Sequence, residues 1–440
     1  MSGTVHVAGI GGVGMSALAQ ALLDAGVRVS GSDRLADRGD ITDTLRCLER
    51  QGVRFFAQDG SGITKDTVRL AVSSAIEADN PEMVKAASEG VPVVHRAAEL
   101  ARLVAGRRLI AVTGTCGKSS VTALLGCLLE GVGFDPLVVN GAAVVGWDAG
   151  GRRVGSVRNG QGEWAVVEAD ESDRSLMAFT PEHAVITNAS ADHFGLAETH
   201  DLFDAFRERV SGTVIDGRGE AAMPEGIRLE GWGGCFVFEG QEYRVPLPGA
   251  HNVYNAYYAV RMARCLGAEP RCLAEALATF GGIERRLQKV GQCGAAAVVD
   301  DYAHNPEKLG AAWTALAAVF PAGICAVWRP HGYGPLRKMM DRLVEVFAQV
   351  CRPVDRLLLL PVYDAGGTAD RSVNSGDLAS RVGYENVNVS CVETMAEAEA
   401  RMRAFAQPES ALVTFGARDP GLPRLARRLA GETVKGNEEG

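Results

Sequence analysis

The chain is 440 residues long, with 47% hydrophobic and 22% charged residues and a formal net charge of -9. That length exceeds one ordinary core and leads us to expect three domains. No apolar run reaches the ~18 residues of a membrane helix, and the N-terminus enters a strand without a basic leader region. An acidic chain lacks the broad positive field that a general nucleic-acid or membrane surface needs, so anionic ligands must be held by a few placed cations. A cytoplasmic monomer or weak homodimer is expected, with neither nucleic acid nor membrane as partner. The 10 cysteines contain no CxxC pair and no zinc spacing; they read as buried apolar residues, with no disulfide and no zinc.

From residue 5 to about 103, the apolar runs VHVAGI, VRVSGS, LAVSSA and PVVH alternate with the helical stretches MSALAQALLDAG and PEMVKAASEG. Such alternation specifies a parallel sheet wrapped by helices. The first turn has the spacing Gly9-x-Gly11-x-x-Gly14, and Asp33 closes the next strand. This is the context of a dinucleotide fingerprint, but it proves only a tight turn whose amides and helix N-terminus can receive an anion. NAD, FAD and other phosphate ligands stay open at this point.

The pattern restarts with LIAVTGTCGKSSVTALLGCLL. A strand, a loop carrying Gly114, Thr115 and Gly117, and a helix opened by Lys118, Ser119 and Ser120 make a phosphate loop by mechanism. Its amides cradle phosphates, Lys118 adds a compact charge, and the Ser119 hydroxyl can hold Mg2+. Val112 stands where the strict Walker pattern has its first glycine. ATP is the expected ligand. Downstream, VVEADESD places Glu168, Asp170, Glu171 and Asp173 at a strand end, and ITNASADHFG places Asp192 and His193 after another. An acidic loop is ordinarily just solvated; beside a phosphate loop it reads as one or two Mg2+ sites for phosphoryl transfer.

A Gly-rich run of hairpins leads to a helix opened by His251 and Asn252. Asn252 can read an adenine edge or simply cap the helix. GGIERRLQKVG, with Arg285 and Arg286, reads as a polar interruption before a third α/β unit with strands AAAVVDD, ICAVWR, RLLLLPV and ALVTFG. There VVDDYAHNPEKL sets Asp300, Asp301, Tyr302, His304 and Asn305 at a strand end, where open sheets receive ligands.

In this order, GIGGVGMSALA, SSAIEADNPE, HRAAEL, TGTCGKSS, EADESDRS, TNASADHFG, GAHNVYNA, IERRLQ, DDYAHNP and FGARDPG resemble the Mur ligases, ATP-dependent amide-forming enzymes of peptidoglycan precursor synthesis. The EADESD form is similar to the alanine-adding branch or its tripeptide-attaching relative. The resemblance implies a three-domain α/β architecture: a Rossmann-like UDP-sugar-binding domain over 1–105, a P-loop-type ATPase domain over 106–288 and a Rossmann-like amine-substrate domain over 289–440. It implies that Gly11, Gly12, Val13, Gly14, Met15, Ser16, Asp33, Ser74 and His95 hold UDP-N-acetylmuramate, with no nicotinamide. Gly114, Thr115, Gly117, Lys118, Ser119, Ser120, Asn252 and Arg285 would serve ATP, and Ser119, Glu168 and His193 would hold Mg2+. Lys118, Glu168, His193, Arg286 and His304 would carry catalysis, and Tyr302 and His304 would line the substrate pocket.

One segment departs from the family pattern. The alanine-adding branch has P-H-R-Y-T-R after a third-unit strand, whose arginines hold the incoming amino acid's carboxylate. Here WRPHGYGPLRK has Gly332 and Pro335 at those places, leaving Arg329, Arg337 and Lys338 as substitutes. L-alanine is the favoured amine. The alternatives are another amino acid, a preformed peptide, or a nucleotide-sugar-binding regulator without catalysis.

Overall fold

The computed structural model describes residues 3–39, 41–190, 194–219, 223–364 and 370–432. The chain gathers into two compact units, Met1–Arg228 with Cys235–Pro246 and His251–Gly281, and Leu229–Gly234 with Leu247–Ala250 and Gly282–Gly440.

The first unit opens with five parallel strands: β1 (Thr4–Ala8), β2 (Arg28–Ser32), β3 (Arg54–Phe56), β4 (Thr67–Val72) and β5 (Val93–His95). Their order, β3-β2-β1-β4-β5, reverses between β1 and β4, and a ligand crevice belongs at such a switch point. β1 is buried over its last four residues, as a strand covered on both faces must be. His6 within it is satisfied by Ser30 Oγ and Glu82 Oε1, both at 2.8 Å.

A second sheet follows: β6 (Arg108–Thr113), β7 (Leu137–Val139), β8 (Val157–Asn159), β9 (Trp164–Glu168), β10 (His183–Ile186) and β11 (Val214–Asp216). Its order is β11-β10-β6-β9-β7-β8, parallel except for β8 on β7. One apolar cluster runs from Val5, Leu18 and Leu22 through Leu109 and Ile186 to Phe203 and Phe206, so the first two sheets share a core. Polar links reinforce it: Val154 N donates to Gln20 Oε1 at 2.9 Å, and Arg153 pairs with Asp24.

The hairpin region becomes a small sheet of β12 (Glu225–Glu230), β13 (Gly233–Phe238) and β14 (Gln241–Val245). The second unit carries β15 (Gln288–Cys293), β16 (Ala296–Asp301), β17 (Gly323–Trp328), β18 (Arg356–Leu359), β19 (Val389–Cys391) and β20 (Ser410–Phe415) in the order β15-β16-β20-β17-β18-β19. All are parallel except β15, which lies antiparallel on β16.

Two expectations need correction. GGIERRLQKVG is not merely an interruption, because β15 begins within it at Gln288; an edge strand tolerates polar and Gly residues that a central strand does not. The cysteines are not uniformly buried: Cys47, Cys235, Cys293 and Cys325 are, but Cys116, Cys265 and Cys272 are exposed. Cys116 sits in the phosphate loop, while Cys265 closes a helix and Cys272 lies on the open side of another. No helix among the described residues is long and apolar enough to cross a membrane.

Candidate functional site

Two glycine loops leave the first two sheets. In the first, Gly9 takes φ 66° and Gly12 N returns to Gly9 O at 3.0 Å before the helix Val13–Asp24 begins. Gly11 N donates to Asp33 Oδ2 at 2.8 Å, while Asp33 Oδ1 accepts from Leu35 N and caps the next helix. A side chain at Gly11 would meet that carboxylate at 2.8 Å, and one at Gly14 would meet Arg96 Nε at 3.1 Å. Val13 is exposed, Met15 and Ser16 are buried, and Ser74 is exposed in the turn after β4. His95 caps the helix Arg96–Val104 through Nδ1 and places Nε2 3.5 Å from Asp173.

The second loop links β6 to the helix Lys118–Gly131. Gly114 and Gly117 take φ 129° and 88°, which only glycine adopts without strain. The loop is latched to the end of β10: Thr187 Oγ1 and Asn188 Nδ2 donate to Cys116 O at 2.6 and 2.8 Å, and Cys116 N donates to Asn188 Oδ1 at 3.0 Å. Ser190 N donates to Thr115 Oγ1 at 3.0 Å. Ser119 and Ser120 are buried in the helix's first turn.

Lys118 Nζ donates to Gly114 O at 2.9 Å and to Glu171 Oε2 at 2.6 Å, with Asp170 Oδ1 3.8 Å away. Burial works against its charge, but attraction to Glu171, Asp170 and Glu168 outweighs that and holds the ammonium above the usual lysine range. Burial pushes the Glu171 carboxyl up against the pull of Lys118. Glu168 ends β9 beside the loop, paired in register with Val112, and accepts from Gly141 N at 2.7 Å. Asn252 and Asn255 are buried in the helix Ala250–Cys265, which starts two residues before Asn252, so Asn252 is not its cap. A side chain at Gly117 would strike Asn255 Oδ1 at 2.5 Å.

The expected residues therefore divide. Lys118, Ser119 and Glu168 converge in the first unit, and Asn252 belongs to the same unit. His193 lies outside the described residues. Arg285, Arg286, Tyr302 and His304 belong to the second unit. There Arg285 donates to Asp300 at 3.2 Å and to the Gly416 and Ala417 carbonyls, with its guanidinium carbon 5.1 Å from the Tyr302 ring centroid. Asp301 accepts from the Leu287 and Ala303 amides at 2.6 and 2.7 Å; burial pushes its pKa up to about 6 despite those bonds. Three positioning residues escaped the sequence reading: Thr187, Asn188 and Asn255. Only Asn255 had a signal, since it lies three residues from Asn252 and so on the same helix face.

Family models match the chain twice: "Mur ligase family, catalytic domain" over residues 4–108 and "Mur ligase, glutamate ligase domain" over 285–418. The UDP-N-acetylmuramate--L-alanine ligase of Sinorhizobium medicae is 34% identical over 460 aligned positions, covering 94% of each chain. This chain belongs to the Mur ligase family. The Rhizobium etli ligase of the same name is 32% identical across 98% of each chain. Among solved structures, the Mur ligase fold is shared with the UDP-N-acetylmuramate-alanine ligase of Thermotoga maritima, at TM-score 0.79 and 23% identity over 97% of this chain and 98% of that one. A murein peptide ligase from Psychrobacter arcticus matches at TM-score 0.64 and 18% identity, over 98% and 99% of the two chains.

Proposed function

We propose that this Mur ligase couples the muramate carboxylate of UDP-N-acetylmuramate to L-alanine, converting ATP to ADP and phosphate in cytoplasmic peptidoglycan precursor synthesis. The observation that carries the reading is Lys118, held at the mouth of the Gly114–Gly117 loop among Glu168, Asp170 and Glu171. The curated relatives of that name, similar over nearly the whole chain, support the substrate pair.

ATP phosphates would lie along the loop amides at the N-terminus of the helix Lys118–Gly131. Lys118 would leave Glu171 for the β- and γ-phosphate oxygens and neutralise the charge that grows as the muramate carboxylate attacks the γ-phosphorus. ADP departs and an acyl phosphate remains. The amine nitrogen attacks its carbonyl carbon, a tetrahedral intermediate forms, the carbon–oxygen bond to phosphate breaks, and the amine loses a proton. The roles expected of Asn252, Arg286, Tyr302, His304 and His193 belong to the same proposal. The glycine turn at Gly11–Ser16, with Asp33, Ser74 and His95, is the proposed UDP-sugar site. The division at 105/106 and 288/289, and a link to cell shape and division, belong to the same proposal.

Mg2+ fits the donor set. Glu168 and Ser119 offer hard oxygen ligands, and Mg2+ takes most of its remaining ligands from water and phosphate. Held by Ser119, Glu168 and His193, it would supply charge neutralisation at the phosphates. The test is phosphate release from ATP with UDP-N-acetylmuramate and a panel of amino acids and short peptides. L-alanine should give the highest kcat/KM; turnover only with a peptide moves the chain to the peptide-attaching reading, and turnover with none removes the ligase reading.

A further inference from the structure

Three neighbouring strands of the second unit, β16, β20 and β17, finish in register: Asp301 pairs with Phe415, and Phe415 with Trp328. The segments leaving them stay in step, since Gly416 N donates to Asp301 O at 3.2 Å and Arg329 N to Phe415 O at 3.3 Å. Tyr302-Ala303-His304, Gly416-Ala417-Arg418 and Arg329-Pro330-His331 therefore stand together at the carboxyl edge of a parallel sheet, the usual ligand side. The His304 and His331 rings are 5.0 Å apart between centroids. Lys308 lies in the first turn of the helix Pro306–Val319, just beyond His304.

The charges there do not balance. Each nearby carboxylate already has partners: Asp300 has Arg285 and Thr414, Asp301 has two amides, Asp419 has Arg329, and Glu307 has Arg342. The ammonium of Lys308 and the guanidinium of Arg418 have no hydrogen bond or ion pair among the described residues. His331 Nδ1 is buried without a hydrogen-bond partner. Burial, together with His304, Arg418 and Lys308, pushes the His331 pKa down to about 4, so the ring is neutral at pH 7 and can donate one N–H.

Two of the three residues first considered as carboxylate holders are already occupied, and the third, Lys338, is exposed on the helix Tyr333–Val350. Arg329 binds Asp419 at 2.6 Å, and Arg337 binds Asp370 at 2.6 Å.

We propose that Arg418 and Lys308, with His331, hold the carboxylate of the incoming amino acid in place of the arginines absent at Gly332 and Pro335. This rests on the ligase reading above. Two cations facing a neutral donor give a carboxylate two charge-assisted bonds and one ordinary bond.

The experiment uses the full chain, with ATP and UDP-N-acetylmuramate saturating, and compares L-alanine with L-alaninamide, which keeps the amine and lacks the carboxylate. Arg418→Ala and Lys308→Ala should each raise the KM for L-alanine roughly 10- to 100-fold with kcat changed only a few-fold. The weak use of L-alaninamide should stay as it was, and Arg418→Lys should recover part of the loss. An unchanged KM for L-alanine, equal losses on both amines, or a raised KM for ATP instead would overturn the assignment; the last would place a phosphate there. Should the unmutated chain turn over no amino acid, the amino-acid-adding reading fails by itself. Saturation-transfer NMR with L-alanine and L-alaninamide then still decides: a preference for L-alanine that Arg418→Ala abolishes upholds the site, and no preference overturns it.

Discussion

At the ends of β6, β9 and β10 the cation Lys118 is ringed by Glu168, Asp170 and Glu171, whereas at the ends of β16, β17 and β20 the cations Lys308 and Arg418 stand beside two histidines. Both edges are carboxyl ends of parallel strands, so the backbone alone does not distinguish them. Side-chain charge does. The acidic ring raises the Lys118 pKa, and burial with the neighbouring cations lowers that of His331. An edge that already supplies anions suits a metal-bridged phosphate, and an edge with surplus cations suits a ligand that brings its own carboxylate.

The strongest way to break this contrast is Lys118→Ala. Removing the ammonium held by the acidic ring should cost about 1,000-fold or more in kcat, ~4 kcal/mol of transition-state stabilisation. UDP-N-acetylmuramate binding, read by calorimetry, should persist. A variant with normal turnover would show that the acidic edge is not where ATP reacts.

A smaller effect separates the two glycine loops. At Gly114, φ is 129° and an added Cβ would lie 2.0 Å from Thr187 Oγ1. Gly114→Ala should therefore lose ~2–4 kcal/mol of stability and undo the Thr187–Cys116 latch. Gly11→Ala has an ordinary φ and meets only Asp33 Oδ2 at 2.8 Å, so ~1–2 kcal/mol is expected. Urea midpoints of the two variants rank the losses; equal losses would mean that Asp33 is as rigidly held as Thr187.

Much of this was readable in the chain. The strands β1, β6, β9, β16, β17 and β20 are buried apolar runs, and a parallel sheet covered on both faces leaves that pattern. The edge strands β3 and β15 carry Arg54 and Lys289 and left none. The loop around Lys118 was legible because a glycine turn between strand and helix, followed by lysine and hydroxyl residues, is a spacing with its own local geometry. Asn188 and Thr187 were not, since they reach the loop from β10, more than 70 residues away in sequence. Arg418 was hidden for the same reason: only the pairing of β20 between β16 and β17 brings it to His304 and His331.

The smallest expected effect tests the cationic edge through pH. In the unfolded chain the His331 imidazole takes up a proton near 6.5, whereas in the fold it does so only at about 4. Between those values the unfolded chain binds the extra proton and the native chain does not, so stability is present above pH 6.5 and falls as the pH drops toward 4. The full shift corresponds to about 3 kcal/mol; solvent screening at this partly exposed side chain brings the expected contribution to about 1–2 kcal/mol. His331→Gln should flatten that part of the profile, so the difference between the two unfolding curves isolates one histidine from the many carboxylates titrating nearby. Arg418→Ala should move the His331 resonance midpoint upward in an NMR titration, because one of the charges opposing protonation is gone. Parallel curves for native and His331→Gln chains, with no movement in Arg418→Ala, would mean that the cations do not act on this ring and that the two edges differ less than their charges imply.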